Sequence, residues 1–170
     1  MRYVEYANII MQKMIFAPTE VTRTVSVGRQ KMEHRAINKN FEAIAQELID
    51  TEPALAYIKN SRVRIAYLDS DQAKKASGDK LVHGECEKIA AKYKWKIDAD
   101  FTITLFVKNN IGMSEEQIKV LLFHELLHIG IEQGPDGEEI YGVNQHDLED
   151  FKVIIDKYGT DWAAPKNVES

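Results

Sequence analysis

Residues 120–130 read VLLFHELLHIG: two histidines and a glutamate set in a run of large apolar side chains. Val120, Leu121, Leu122, Phe123, Leu126, Leu127 and Ile129 cover nearly every direction around a helical axis, which predicts a central, buried helix. Burying a polar group without a partner costs on the order of 2–7 kcal/mol, and a charge costs more. Something must therefore satisfy His124, Glu125 and His128. Four residues apart on a helix, the two histidines project from one face, a turn apart. Imidazoles so placed can share one metal ion at roughly 2.0–2.1 Å each, the geometry of Zn2+. Glu125 lies next round the helix and can reach a water on that ion without ligating it, which is the logic of the H-E-x-x-H pattern. Zinc with three protein ligands keeps a position for water and brings its pKa to near 7. Glu125 then serves as general base and later returns the proton to a leaving amine. The bland alternative, two hydrogen-bonded core histidines, sits poorly with so apolar a helix.

The flanks announce the helix. Ser114 and Gln117 form an S-x-x-Q capping box, with Met113 and Ile118 placed as a hydrophobic staple. The helix is expected from about Glu115 to Ile129, with Gly130 near its end. Gly-Pro-Asp-Gly at 134–137 breaks the chain. A last helix follows, with Asn144 as its cap, Asp147 three residues on, Val143 and Leu148 as a staple, and a stripe of Leu148, Phe151, Ile155 and Tyr158 before Gly159.

A third ligand is required. His146, beyond the Gly-Pro-Asp-Gly break, is the first choice. Were the last helix already regular there, this side chain would point away from the apolar stripe. Glu149 is the reserve and Glu139 a weaker candidate. Asp147 could orient a ligating imidazole from outside, or act only as a first-turn helix acid.

Upstream, residues 3–15 alternate in a helical rhythm, and 17–36 are locally basic through Arg23, Arg29, Lys31 and Arg35. Asn38 opens a helix with Phe41, Ile44, Ala45, Leu48 and Ile49 on one face. Pro53 interrupts it before a short second helix, ALAYIKN. In RVRIAYL the period becomes two, with Val63, Ile65 and Tyr67 on one side. LVHGE reads as a short return strand, and CEKIAAKYKW reads either way. DFTITLFVK is the cleanest strand, with Phe101, Ile103, Leu105 and Val107 sharing a face.

Bulk properties exclude several classes. The 170 residues carry a net charge of −5 and a pI near 5.6, with 44% apolar and 29% charged residues. Nothing global draws such a chain to nucleic acid or anionic membrane. One cysteine, Cys86, forbids an internal disulfide framework and fits a reducing compartment. No apolar run approaches the ~20 residues that span a bilayer. The N-terminus, interrupted by Glu5 and Lys13, does not read as a signal peptide. A cytoplasmic protein is expected, of unassigned oligomeric state.

RIAYL, LVHGECEKI, DFTITLF, LLFHELLHIGI and HDLEDF together resemble the putative phage metallopeptidase family, a group within the zincin-like fold, over roughly residues 60–162. There is a more distant similarity to SprT-like peptidases. The resemblance implies a few strands packed on the metal helix, one zinc held by His124, His128 and His146, Glu125 as the catalytic residue, and a polypeptide substrate. Gly130 departs from the broader zincin helix, where an apolar residue is usual. The expectation is an α+β fold: a mostly helical extension over 1–59, a zincin-like metallopeptidase domain over 60–162, and a tail over 163–170. By the same resemblance, strand Phe101–Val107 offers an open edge to a bound peptide.

Other residues have smaller roles. Tyr141 could donate to an oxyanion or merely pack. His83, Glu85 and Cys86 match no common zinc spacing as a second site. The basic stretch 23–39 reads first as a solvated face. Trp95 and Trp162 are expected in the core or an interface. Two rival functions remain. A zinc-binding regulatory protein without turnover would need no base at Glu125. A metal-dependent nuclease would surround the metal with cations, whereas this helix carries only Lys119.

Overall fold

In the computed structural model, which describes residues 34–146 and 150–163, the chain mixes helices with small sheets. The elements run β1 (Arg35–Ile37), α1 (Lys39–Thr51), α2 (Ala56–Lys59), β2 (Ile65–Ser70), β3 (Lys74–Lys75), β4 (Leu81–Val82), β5 (Gly84–Lys88), β6 (Phe101–Phe106), α3 (Glu115–Leu127), β7 (Ile129–Gln133), β8 (Glu139–Val143) and α4 (Lys152–Tyr158). The helical rhythm at 3–15, most of the basic stretch, and Asp147, Leu148 and Glu149 lie outside the described residues.

The main sheet has the order β1-β2-β6-β5, with β2 and β6 parallel and the outer pairs antiparallel. A strand flanked on both sides and covered on both faces must be apolar nearly throughout. In β6, Phe101, Ile103, Thr104, Leu105 and Phe106 are all buried. Its inner residues join Tyr67, α1 (Ala45, Leu48, Ile49) and α3 (Val120, Leu121, Leu122, Phe123, Leu126) in one core. On the outer face Arg35 reaches across the sheet, donating to Thr104 Oγ1 at 3.2 Å and Glu87 Oε2 at 2.9 Å. Residues 35–59 supply an edge strand, β1, and a core helix, α1, that pack with the sheet and α3. Asn38 caps α1 as expected, its Oδ1 accepting from the amides of Asn40 and Phe41.

Several expectations are corrected. Val107 leaves the strand and is half-exposed. Strand Phe101–Phe106 has no open edge, because β2 and β5 pair with both its sides; the edge strand beside it is β5. Helix α3 stops at Leu127 rather than Ile129. Ile129–Gln133 instead pairs antiparallel with Glu139–Val143, and Gly-Pro-Asp-Gly is the turn of that hairpin. Gly130 is therefore a strand residue opposite Gly142. A Cβ there would lie 2.6 Å from Asn144 Oδ1 and 3.2 Å from the Gly142 carbonyl, so close backbone approach requires the glycine.

Asn144 does cap a helix, but not the last one. Its Nδ2 donates to the carbonyls of Leu127 and Ile129 at the C-terminal end of α3. The last helix begins only at Lys152. That later start turns Phe151 and Ile154 into the core, with Ile155 only partly buried.

Candidate metal centre

The start of α3 sets the phase of everything downstream on it. Ser114 Oγ accepts from the Gln117 amide at 3.2 Å and Gln117 Oε1 from the Ser114 amide at 2.9 Å, closing the capping box. Seven residues beyond Gln117, His124 emerges, and His128 occupies the C-cap. His146 lies in irregular backbone between β8 and α4, so no helical register turns it away. Its Nε2 stands 3.0 Å from Nε2 of His124 and 3.0 Å from Nε2 of His128. The ligand atoms of the three residues all lie within 4.8 Å of one another.

The other ring nitrogens explain why this cluster calls for a cation. His124 Nδ1 is 2.6 Å from Asp150 Oδ1, and His128 Nδ1 is 2.8 Å from the Asn144 carbonyl oxygen. Both partners accept, so each Nδ1 carries the hydrogen and each Nε2 presents a bare lone pair. His146 Nε2 holds at most one proton, which cannot satisfy both. Lone pairs therefore face one another at 3.0 Å unless a positive ion sits among them. Three neutral imidazole nitrogens are a donor set that zinc takes readily, and in a tetrahedral site with normal bonds they stand about 3.3 Å apart.

Burial pushes the His124 imidazole down to about 4, with Asp150 opposing, and burial also lowers His128. Both rings are thus neutral at neutral pH, as ligation needs. Phe151 lies edge-on to all three imidazoles, at centroid distances of 5.3, 4.8 and 5.1 Å, and floors the cluster with an apolar ring.

Glu125 is 4% exposed. Burial, with Glu85 and Asp150 adding negative charge, pushes its carboxyl up to about 8. In the metal-free protein this burial makes stability depend on pH. The folded value lies above the ordinary carboxyl value of 4.5, so the stabilising contribution is complete below pH 4.5 and is lost as pH rises through 8. Metal-free Glu125→Gln should therefore be more stable than the metal-free parent above pH 8, by on the order of a few kcal/mol, and melt at a higher temperature there, the two converging below pH 4.5. Urea or thermal melts in chelator across that range measure it; parallel profiles would contradict the buried-acid assignment.

Sequence reasoning missed three participants. Asp150 meets His124, and it is itself held by the Phe151 amide at 2.7 Å and Trp162 Nε1 at 2.8 Å. HDLED offers three acids within four residues and no periodicity to choose among them. The Asn144 carbonyl left no side-chain signal. Gly84, the first residue of β5, has its backbone so close to Glu125 that a Cβ would lie 2.5 Å from Oε1.

Other candidates go elsewhere. Glu139 accepts from the Arg62 amide at 3.0 Å and from the Tyr141 hydroxyl at 2.7 Å, while the Tyr141 ring packs edge-on to Phe101. His83 pairs with Asn110, and burial raises the Cys86 thiol; no metal-binding group forms there among the described residues. Lys119 is taken by Glu47 at 2.7 Å. Trp95 is 81% exposed and not part of the core.

A family model described as "Putative phage metallopeptidase" matches residues 34–168, well over half of the chain. The match begins at 34 rather than near 60 and so takes in β1 and α1. No curated protein and no solved structure matches. Among the described residues, no helix is long and apolar enough to cross a membrane.

Proposed function

The chain belongs to the putative phage metallopeptidase family, and on that footing we propose that it is a single-zinc peptidase of zincin-like build, with His124, His128 and His146 as ligands and Glu125 as general base. The observation that carries this reading is the convergence of three Nε2 atoms, two of them with bare lone pairs, beside a buried carboxylate. Zinc bound there supplies Lewis acidity, polarising a scissile carbonyl and making water acidic near neutral pH. A cation held by the three histidines favours the ionised form of Glu125, and that carboxylate takes the proton of the attacking water and hands it to the departing amine. Asp150 and the Asn144 carbonyl hold the tautomers of His124 and His128, so that neither ring turns its N–H inward.

The substrate track in this proposal is β5. Its outer edge lies beside the site, because β5 begins against the Glu125 carboxylate at Gly84. An extended peptide pairing with that edge brings a backbone carbonyl towards the glutamate. Gly84→Ala is expected to displace the Glu125 carboxylate and lower turnover by about tenfold to a hundredfold while zinc stays bound. Steady-state rates alongside zinc content test this. Asp150→Asn keeps a hydrogen-bond acceptor but removes the charge, and should weaken zinc binding about 10–100-fold, read by competition with a chelator.

The direct test of the function uses the purified full chain. It should carry about one zinc, cut an unfolded polypeptide, stop when chelated, and recover with added zinc. Zinc-replete protein that cleaves no member of a broad peptide library would refute the peptidase reading.

A further inference from the structure

Residues 91–97 read AKYKWKI, with lysines at 92, 94 and 96 alternating with Tyr93, Trp95 and Ile97. The segment is a 3-10 turn, Ala91–Tyr93, continued by backbone bonds from Lys96 and Ile97 to the Tyr93 carbonyl. It is pinned from beneath. Buried Asp100 accepts from Lys94 Nζ at 2.6 Å, from the Arg64 amide at 3.0 Å and from Arg64 Nε at 3.2 Å. The anchored turn nonetheless presents its apolar side chains to solvent: Trp95 is 81% exposed, Tyr93 50% and Ile97 39%.

The charges around these rings are unusual for this chain. Its net charge is −5, and Lys39, Lys59, Lys74, Lys119 and Lys157 each hold a carboxylate. Among the described residues, no carboxylate pairs with Lys88, Lys92 or Lys96; Lys88 donates to the Tyr141 carbonyl, and Lys92 Nζ lies 5.0 Å over the Tyr93 ring. Exposed aromatic rings flanked by ammonium groups that hold no carboxylate suit a ligand that alternates flat rings with anions.

We propose that residues 88–97 dock single-stranded nucleic acid, with Trp95 and Tyr93 stacking on bases while Lys88, Lys92 and Lys96 meet phosphates. A duplex hides its base faces within its own stack, whereas a single strand exposes them to aromatic side chains. A bilayer is the poorer fit, because a lysine stands between each pair of apolar side chains and breaks up any continuous greasy face. At about 0.1 M salt the overall negative charge does not forbid the contact, since screening confines it to the charges within about 10 Å. The segment contributes none of the three histidines or Glu125, and the proposal does not depend on the peptidase reading.

The test is anisotropy of a labelled oligo-dT titrated with the full chain, alongside quenching of tryptophan fluorescence. Binding should appear at low salt and weaken with a log–log slope of about −2, as three lysine–phosphate contacts on a single strand predict. Trp95→Ala should bind tenfold or more weakly and Trp95→Phe nearly as well as the parent. Lys92→Glu with Lys96→Glu should reduce both affinity and slope, with melting temperatures unchanged because these side chains lie outside the core. Glu125→Gln should bind as the parent does. A flat titration at low salt up to about 100 µM protein overturns the proposal. So does equal binding by Trp95→Ala, duplex binding as tight as single-strand binding, or Trp95-dependent sedimentation with phosphatidylglycerol vesicles where oligo-dT does not bind.

Discussion

Replacing Glu125 with glutamine is expected to leave about one zinc per chain and to lower peptide turnover by roughly 10²–10⁴-fold, the span a positioned general base supplies. Glutamine keeps the size of the side chain beside Gly84, where there is no room for anything larger. It cannot take a proton. The metal ligands are untouched, because Glu125 contributes no atom to the three-histidine group. Zinc content and turnover therefore separate in this variant, which loss of folding could not produce. Equal rates for parent and variant would remove Glu125 from the mechanism. Inactivity of both, with zinc full, would favour a regulatory zinc protein.

His146→Ala carries the second large effect. The residue is exposed and outside any helix, so its removal leaves no cavity in the core. Zinc content should fall from about one to a small fraction after dialysis, and turnover should fall with it. The zinc-dependent rise in melting temperature should vanish too; for the parent that rise reflects about 2.7 kcal/mol when free zinc is a hundred times Kd. Undiminished zinc binding by His146→Ala would hand the third position to another residue, with Glu149 next to be tested.

Legibility followed the range of the interactions. The capping box at Ser114 and Gln117, the Asn38 cap and the spacing of His124 and His128 all rest on contacts within a few residues, and all stand in the structure. The hairpin 129–143 escapes the sequence because its strands are only five residues each and Gly130 mimics a helix stop. Asn144 was assigned to the wrong helix because its acceptors, Leu127 and Ile129, lie 17 and 15 residues back. Trp95 was expected inside or at an interface because large aromatic residues usually bury, and its exposure became visible only in three dimensions.

Helical periodicity sufficed to put two imidazoles and a carboxylate on neighbouring positions of one buried turn, since 3.6 residues per turn is a property of the backbone alone. Which acid steadies His124, how His146 meets the pair, and which strands stand at the sheet's edges were beyond that reach. The place of Asp150, the approach of His146 and the order β1-β2-β6-β5 depend on hydrogen bonds between segments distant in sequence. Such bonds form only when packing brings those segments together, and local pattern carries no record of the choice.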